Sequence, residues 1–225
     1  MLSAIGKPLN TLFSWYLEKR MLEIDRFKND PFGTQEKTLH QLIQVANKTK
    51  FGSQYDFQSI KNPHQFKNKV PLHQYSDLEL LINEMKNGKP NILWPGQIKW
   101  FAQSSGTSNK VIKHIPISKQ SLKDCHYKGG KDLLSIYYNQ NPNTQLFTGK
   151  HLIVGGASSA FINNKKTVIG DLSAIIMEQL PWWCEWRRSP NGIKKVLADN
   201  WKDKLKYIID SSIKDDIHIL SLIHI

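Results

Sequence analysis

The sequence predicts an α/β protein, helical at first and then built of helices packed on a mixed β-sheet. Two patterns carry that prediction. From residue 8 to about residue 88, apolar residues recur every three or four positions, the period of a helix with one buried face. After residue 91, short β-branched or aromatic runs alternate with further helical stretches. A third observation locates the centre of the chain. Lys99 to Pro116 reads K-W-F-A-Q-S-S-G-T-S-N-K-V-I-K-H-I-P, a small-residue loop held between two strand-like runs.

In order, Pro8 to about Lys28 predicts an amphipathic helix with Leu9, Leu12, Phe13, Tyr16, Leu17, Ile24 and Phe27 on one stripe, ended by Asp30-Pro31. That stripe suits packing on a core, and the basic residues beside it also suit a membrane surface. Thr34 is placed to cap a second helix carrying Leu39, Leu42, Ile43 and Ala46, with Gly52 as its stop. Val70-Pro71-Leu72 breaks the chain before a third helix, about Tyr75 to Asn87, closed by Gly88. Asn91 to Trp94 reads as a short apolar strand, and Trp94 and Trp100 as core residues.

Beyond Pro116, Ser118 or Ser121 can cap a helix to about Tyr138, with Leu122, Cys125, Leu133, Ile136 and Tyr137 facing inward. Gly129-Gly130 inside it predicts a close approach, by another element or by a ligand, and His126 a boundary position. His151 to Val154 reads as a buried strand running into the small-residue loop Gly155 to Ser159, a candidate pocket wall. Asn163 to Lys166 reads as a hairpin tip or solvated loop. Thr167 to Asp171 predicts a strand, with Asp171 or Ser173 capping a helix over Ala174 to Leu180. Asp171 also has the chemistry of a Mg²⁺ or substrate ligand. Trp182, Trp183 and Trp186 are read as burying a helix turn, with the floor of an aromatic pocket as the alternative. A helix over Ile193 to Ile213 and a strand from Ile217 to Ile225 complete the chain.

Composition narrows the function classes. With 40% apolar and 22% charged residues among 225, the chain has the make-up of a globular protein. No stretch approaches the roughly 20 apolar residues of a membrane span, and the N-terminus lacks a secretory h-region. Cys125 and Cys184 stand far apart, which favours reduced thiols in a cytoplasmic setting over a zinc site. The net charge of +12 raises nucleic-acid binding, but the charge is dispersed and Lys outnumbers Arg 27 to 4. That balance suits a solvated lysine surface better than base readout by arginine. The expected partners therefore exclude nucleic acid and membrane.

The chemistry concentrates in Ser104, Ser105, Gly106, Thr107 and Ser108, with Lys113 nine residues after Ser104. A glycine lets several backbone N–H groups converge on an anion, Ser and Thr hydroxyls add donors, and lysine adds a mobile charge. A strand follows the loop, so a Walker A motif, which runs into a helix, does not fit. The same five residues also have the composition of an ordinary hairpin turn.

The spacing S-S-G-T-[ST]-x4-K-x2-P, filled here by Ser104, Ser105, Gly106, Thr107, Ser108, Lys113 and Pro116, resembles the ATP-phosphate loop of the auxin-responsive (Gretchen Hagen) family of acyl-acid amido synthetases. Plant members often carry glycine where this chain has Lys110. The segments T-K-F-G from Thr49, V-P-L-x-x-Y from Val70, K-G-G-K-D from Lys128, L-F-T-G-K from Leu146 and G-D-L-S-A from Gly170 extend the resemblance, K-G-G-K-D and L-F-T-G-K to bacterial members.

The resemblance implies the N-terminal part of a large adenylate-forming domain. Residues 1–90 would be its mainly helical portion and residues 91–225 its α/β portion, with the phosphate loop at 103–116. It implies ATP and Mg²⁺ as cofactors and carboxylic and amino acids as substrates. Ser104 to Ser108 would hold the nucleotide's phosphates, and Lys113 would be the catalytic cation. The family's ribose-binding aspartate and hinged lid would lie beyond Ile225, so the chain is expected to be an inactive N-terminal fragment. Two alternatives remain: an acyl-CoA ligase type of adenylating enzyme, and a basic nucleic-acid or phosphate-binding module.

Overall fold

A computed structural model describes residues 2–104, 112–162, 167–182, 184–198 and 200–222. Helix α1 spans Leu2–Asn29. The chain then turns on Asp30, whose carboxylate accepts the Gly33 N–H at 2.9 Å and so caps α2, Pro31–Ala46. Thr34 is therefore inside the helix and not its cap. The reason is the proline: it sits at the first helical position, where its missing N–H costs nothing, and draws the start back to Asp30. Gly52 does not stop α2 either. It lies within α3, Lys50–Gln54, where an added Cβ would stand 2.1 Å from the Ala46 carbonyl oxygen. Thr49 caps α3 through its hydroxyl.

The chain divides into two bodies, one of residues 25–119 and 161–169, the other of residues 1–24, 120–160 and 170–225. In the first, a helical layer is cored by Ile43, Ala46, Phe57 and Ile60, with Trp94 packed against it. Helix α4, Pro63–Lys69, capped by Asn62, joins this layer. Helix α5, Tyr75–Lys86, turns Leu78, Ile82 and Met85 toward a second cluster with Ile92, Ile98, Phe101 and Ile169. Asn91 to Trp94 is not a strand. The carbonyls of Asn91 and Ile92 accept the N–H groups of Lys50 and Phe51, two donors that the first turn of α3 would otherwise leave unpaired.

Strands β1, Trp100–Gln103, and β2, His114–Ile117, pair antiparallel with Trp100 opposite Ile117 and Gln103 opposite His114. They belong to a four-stranded sheet of order β2-β1-β5-β4, where β4 is Ser158–Ile162 and β5 is Thr167–Gly170. Pro116 is accommodated because β2 is an edge strand, where a missing N–H breaks no ladder. β1 has neighbours on both sides, and both Phe101 and Ala102 are buried.

In the second body, α6, Lys119–Ser121, passes through a π-helical segment over Leu122–Tyr127 into α7, Lys128–Gln140. Leu122 is buried as expected, but Cys125 and Tyr137 are exposed and Leu133 is 69% exposed; Ser135 and Tyr138 are buried instead. The π segment explains the shift. It holds more residues per turn, and each extra residue rotates the rest of the helix by roughly 100°, so a 3.6-residue pattern carried through it points the wrong way. Among the described residues no other element approaches Gly129 or Gly130: an added Cβ at either meets no atom within 4 Å.

The parallel sheet of this body has order β6-β3-β7, from β3, Lys150–Val154, β6, Arg188–Ser189, and β7, Ile217–Leu222. Its core gathers Ile153 with Ala174 and Met177 of α8, Leu172–Glu178, and Val196 and Leu197. The expected single helix over 193–213 is two: α10, Ile193–Val196, and α11, Trp201–Ser212. Asn200 starts the second by accepting the N–H groups of Lys202 and Asp203. A short helix, α9, covers Cys184–Arg187. Trp182 and Trp186 are not buried; they stand 72% and 71% exposed, ring edge to ring face. On α1, Leu17 and Arg20 are buried while Leu12 and Tyr16 are exposed, and Arg20 pairs with Asp132 and Glu23. Among the described residues no helix is long and apolar enough to cross a membrane.

Candidate phosphate-binding site

The hairpin between β1 and β2 is closed at its neck by Ser104 and Lys113. The Ser104 N–H donates to the Lys113 carbonyl at 3.0 Å, and the Lys113 N–H donates to Ser104 Oγ at 3.1 Å. One serine thus locks the neck with both backbone and side chain. Its hydroxyl proton is still available to donate outward, because a hydroxyl can accept and donate at once. Ser105, Gly106, Thr107 and Ser108 lie outside the described residues; Lys113 is half-buried at the end of the loop.

Around that neck the positive charge is uncompensated. Neither Lys113 nor Lys86 is in an ion pair among the described residues. Lys86 Nζ lies 3.2 Å from His114 Nδ1. An ammonium only donates, so Nδ1 accepts and the imidazole proton sits on Nε2. Burial, and then the Lys86 charge, hold His114 below the usual histidine range, so it is neutral at neutral pH. Tyr75 at the start of α5 reaches the same strand: its hydroxyl accepts the His114 N–H at 2.9 Å and lies 3.5 Å from the His114 carbonyl. Lys113 Nζ lies over the Tyr75 ring, 5.6 Å from its centre. Two lysines and a locked neck, with no carboxylate paired to them among the described residues, fit a polyanion such as a triphosphate.

The second small-residue loop is organised differently. Gly156 N–H donates to Ser173 Oγ at 2.9 Å, and Ala157 N–H donates to Asp171 Oδ2 at 2.9 Å. The carbonyls of Gly155 and Gly156 accept from the buried Lys204 ammonium at 3.1 and 3.0 Å. Donors and acceptors of this turn are therefore bound within the protein. Asp171 occupies the N-cap position of α8, yet its carboxylate holds the Ala157 N–H and bonds nothing in the helix. Both glycines are required, because a Cβ on Gly155 would stand 2.6 Å from Met177 Sδ and one on Gly156 2.0 Å from Asp171 Oδ2. Among the described residues no group of three or more His, Cys, Asp or Glu could hold a metal ion.

Sequence reasoning missed Tyr75, Lys86, His114 and Lys204. The first three converge only when α5 lies beside β2, which no local spacing records. Lys204 carried no signal beyond being one lysine among many on a helical stretch.

The described elements form a mixed α/β fold, helices packed on mixed sheets. The chain belongs to the GH3 family: that family's N-terminal domain matches residues 20–223. It is 30% identical over 105 residues to indole-3-acetic acid-amido synthetase GH3.2 of Arabidopsis thaliana, across 46% of this chain and 19% of that protein. It is 26% identical over 107 residues to jasmonoyl–L-amino acid synthetase JAR6 of Nicotiana attenuata, across 47% of this chain and 18% of that one. Its fold is similar to that of GH3.15 acyl acid amido synthetase, with TM-score 0.59 at 20% identity over 71% of this chain and 28% of that one. The same protein in complex with 2,4-DB gives a TM-score of 0.61 at 18% identity. The chain thus spans less than a third of the length of these proteins.

Proposed function

We propose that this chain supplies the phosphate-gripping part of an ATP-dependent ligase that activates a carboxylic acid as an acyl-adenylate and passes the acyl group to an amino acid. The observation that carries the reading is Lys113, set in a locked hairpin neck with no carboxylate partner among the described residues. The names of the amido synthetases above supply the reaction class. In this reading residues 1–225 are a partial adenylation domain, helical to about residue 90 and α/β beyond it, with the phosphate loop at 103–116.

When the acid's carboxylate attacks the α-phosphorus, the P–O bond to pyrophosphate breaks and charge builds on the leaving oxygens. Ser104 to Ser108 would meet those oxygens with backbone and hydroxyl donors. Lys113 would neutralise them, an effect stronger in the transition state than in the ground state. No general base is needed, since the attacking carboxylate is already ionised. Mg²⁺ would arrive with the triphosphate, shielding charge the hairpin does not reach. Free Cys125 and Cys184 are compatible with a reducing, cytoplasmic setting.

Calorimetric titration of the chain with magnesium tripolyphosphate tests the grip. Saturable binding that weakens about tenfold or more in Lys113→Ala is expected, the loss of one charge-assisted contact. Equal affinity in the two proteins, with unchanged circular dichroism, would remove Lys113 from the site. The chain alone is expected to show no acid-dependent ATP–pyrophosphate exchange.

A further inference from the structure

Tyr75 is used twice, and the two uses concern adjacent residues at the start of β2. Its hydroxyl accepts the His114 N–H at 2.9 Å and lies 3.5 Å from the His114 carbonyl, so it grips the backbone of the residue that follows Lys113. Its ring lies beneath the Lys113 ammonium at 5.6 Å, within cation–π range. The backbone of β2 is thus held from both sides at the hairpin's exit: the neighbouring strand pairs Gln103 with His114, and α5 supplies Tyr75 from the opposite edge.

β2 is an edge strand, and edge strands leave backbone groups unpaired on one side. Tyr75 answers two of those groups at one residue. Lys86, eleven residues further along the same helix, contacts the side chain of that residue, His114. Eleven residues is close to three full turns, so Tyr75 and Lys86 lie on one face of α5. Helix α5 is itself anchored by Ile82 and Met85 in the core beneath Phe101. A lysine on four rotatable bonds loses much entropy when it is held in place. An aromatic face beneath it restricts where the ammonium goes without neutralising its charge, as a carboxylate would.

We propose that Tyr75 is a positioning residue for the phosphate hairpin: it fixes the exit strand through its hydroxyl and pre-sets the Lys113 ammonium over its ring, still charged and free to meet an anion. This rests on the phosphate reading of the hairpin. It assigns Tyr75 no contact with the nucleotide; its effect passes through Lys113.

The test uses the whole chain, with lysines reductively ¹³C-dimethylated and the Lys113 signal assigned by its loss in Lys113→Arg. Wild type is expected to show an upfield ring-current shift for Lys113 that Tyr75→Phe keeps and Tyr75→Leu abolishes. Unmodified proteins are titrated with magnesium tripolyphosphate. Tyr75→Leu should bind about two- to fivefold more weakly on the ring's account alone, the range of an exposed cation–π contact, and more weakly still because the loosened strand lets Lys113 drift from its place. Tyr75→Phe should fall between it and wild type. The double variant Tyr75→Leu with Lys113→Ala should bind no more weakly than Lys113→Ala alone, because Tyr75 acts through the lysine. An additional loss there, or an unshifted wild-type Lys113 signal, overturns the proposal. If wild type fails to bind tripolyphosphate at all, the phosphate reading falls and this assignment with it. Binding by wild type with Tyr75→Leu unchanged removes Tyr75 alone.

Discussion

His151 is a single residue whose environment sets a pH dependence. Burial, and next the Arg187 charge, push its imidazole down to about 4, while Nε2 lies 2.7 Å from Ser221 Oγ across the β3–β7 pair. In the unfolded chain it titrates near 6.5. Between those values the unfolded state binds the proton and the folded state does not, so stability rises with pH across that window. The contribution is present in full above about pH 6.5 and is lost as pH falls toward 4, on the order of 1–3 kcal/mol for a part-exposed ring. Urea denaturation at pH 7, 5.5 and 4.5 should show a steeper acid loss for wild type than for His151→Gln. Parallel curves for the two proteins would assign the acid sensitivity elsewhere. Cys184 belongs to the same residue-scale logic, since burial and the nearby Glu185 raise its thiol and keep it protonated and unreactive.

At the scale of elements, α7 offers a clean measurement. Gly129 and Gly130 lie in its first turn with open space where each Cβ would go. Alanine at each is expected to stabilise the chain by up to about 1 kcal/mol, because glycine loses more backbone entropy in a helix and here nothing is displaced. A rise in the urea midpoint for Gly129→Ala and Gly130→Ala checks this; a fall would show that the pair serves something other than the helix. The same stretch shows what was legible in the sequence and what was not. The hairpin of β1 and β2, the strands at 151–154, 167–170 and 217–222, and helix α5 follow from local periodicity and their turn residues, and they are where the sequence places them. The inward face of the helix after β2 was misread because a π segment leaves no mark in a periodicity taken at 3.6 residues. The Asn91 to Trp94 run was misread because its carbonyls serve the start of α3, a partner some forty residues away in the chain. In the candidate site, Ser104 and Lys113 were legible from their spacing, whereas Tyr75, Lys86 and His114 meet only through the packing of α5 beside β2.

At the scale of the whole molecule, the proposed function raises the question of which parts of a nucleotide this chain would recognise. The described site contributes a locked neck, two lysines without carboxylate partners and the Ser104 hydroxyl, all chemistry for phosphate oxygens. The Tyr75 ring at that site is engaged with His114 and lies beneath Lys113, and so does not stand free to stack on a base. Base identity should therefore matter little and phosphate number a great deal. Magnesium complexes of ATP, GTP and tripolyphosphate are expected to bind within about threefold of one another, since a missing base contact leaves their shared charge as the common term. AMP should bind at least about tenfold more weakly, having lost the β and γ groups that a charge-assisted site engages. Raising the ionic strength should weaken all of them together, because the interaction is between partly exposed charges. Titrations of the four ligands at two salt concentrations decide the matter. ATP binding tenfold more tightly than GTP would require an adenine contact within these 225 residues, and would move the centre of recognition away from the Ser104–Lys113 neck.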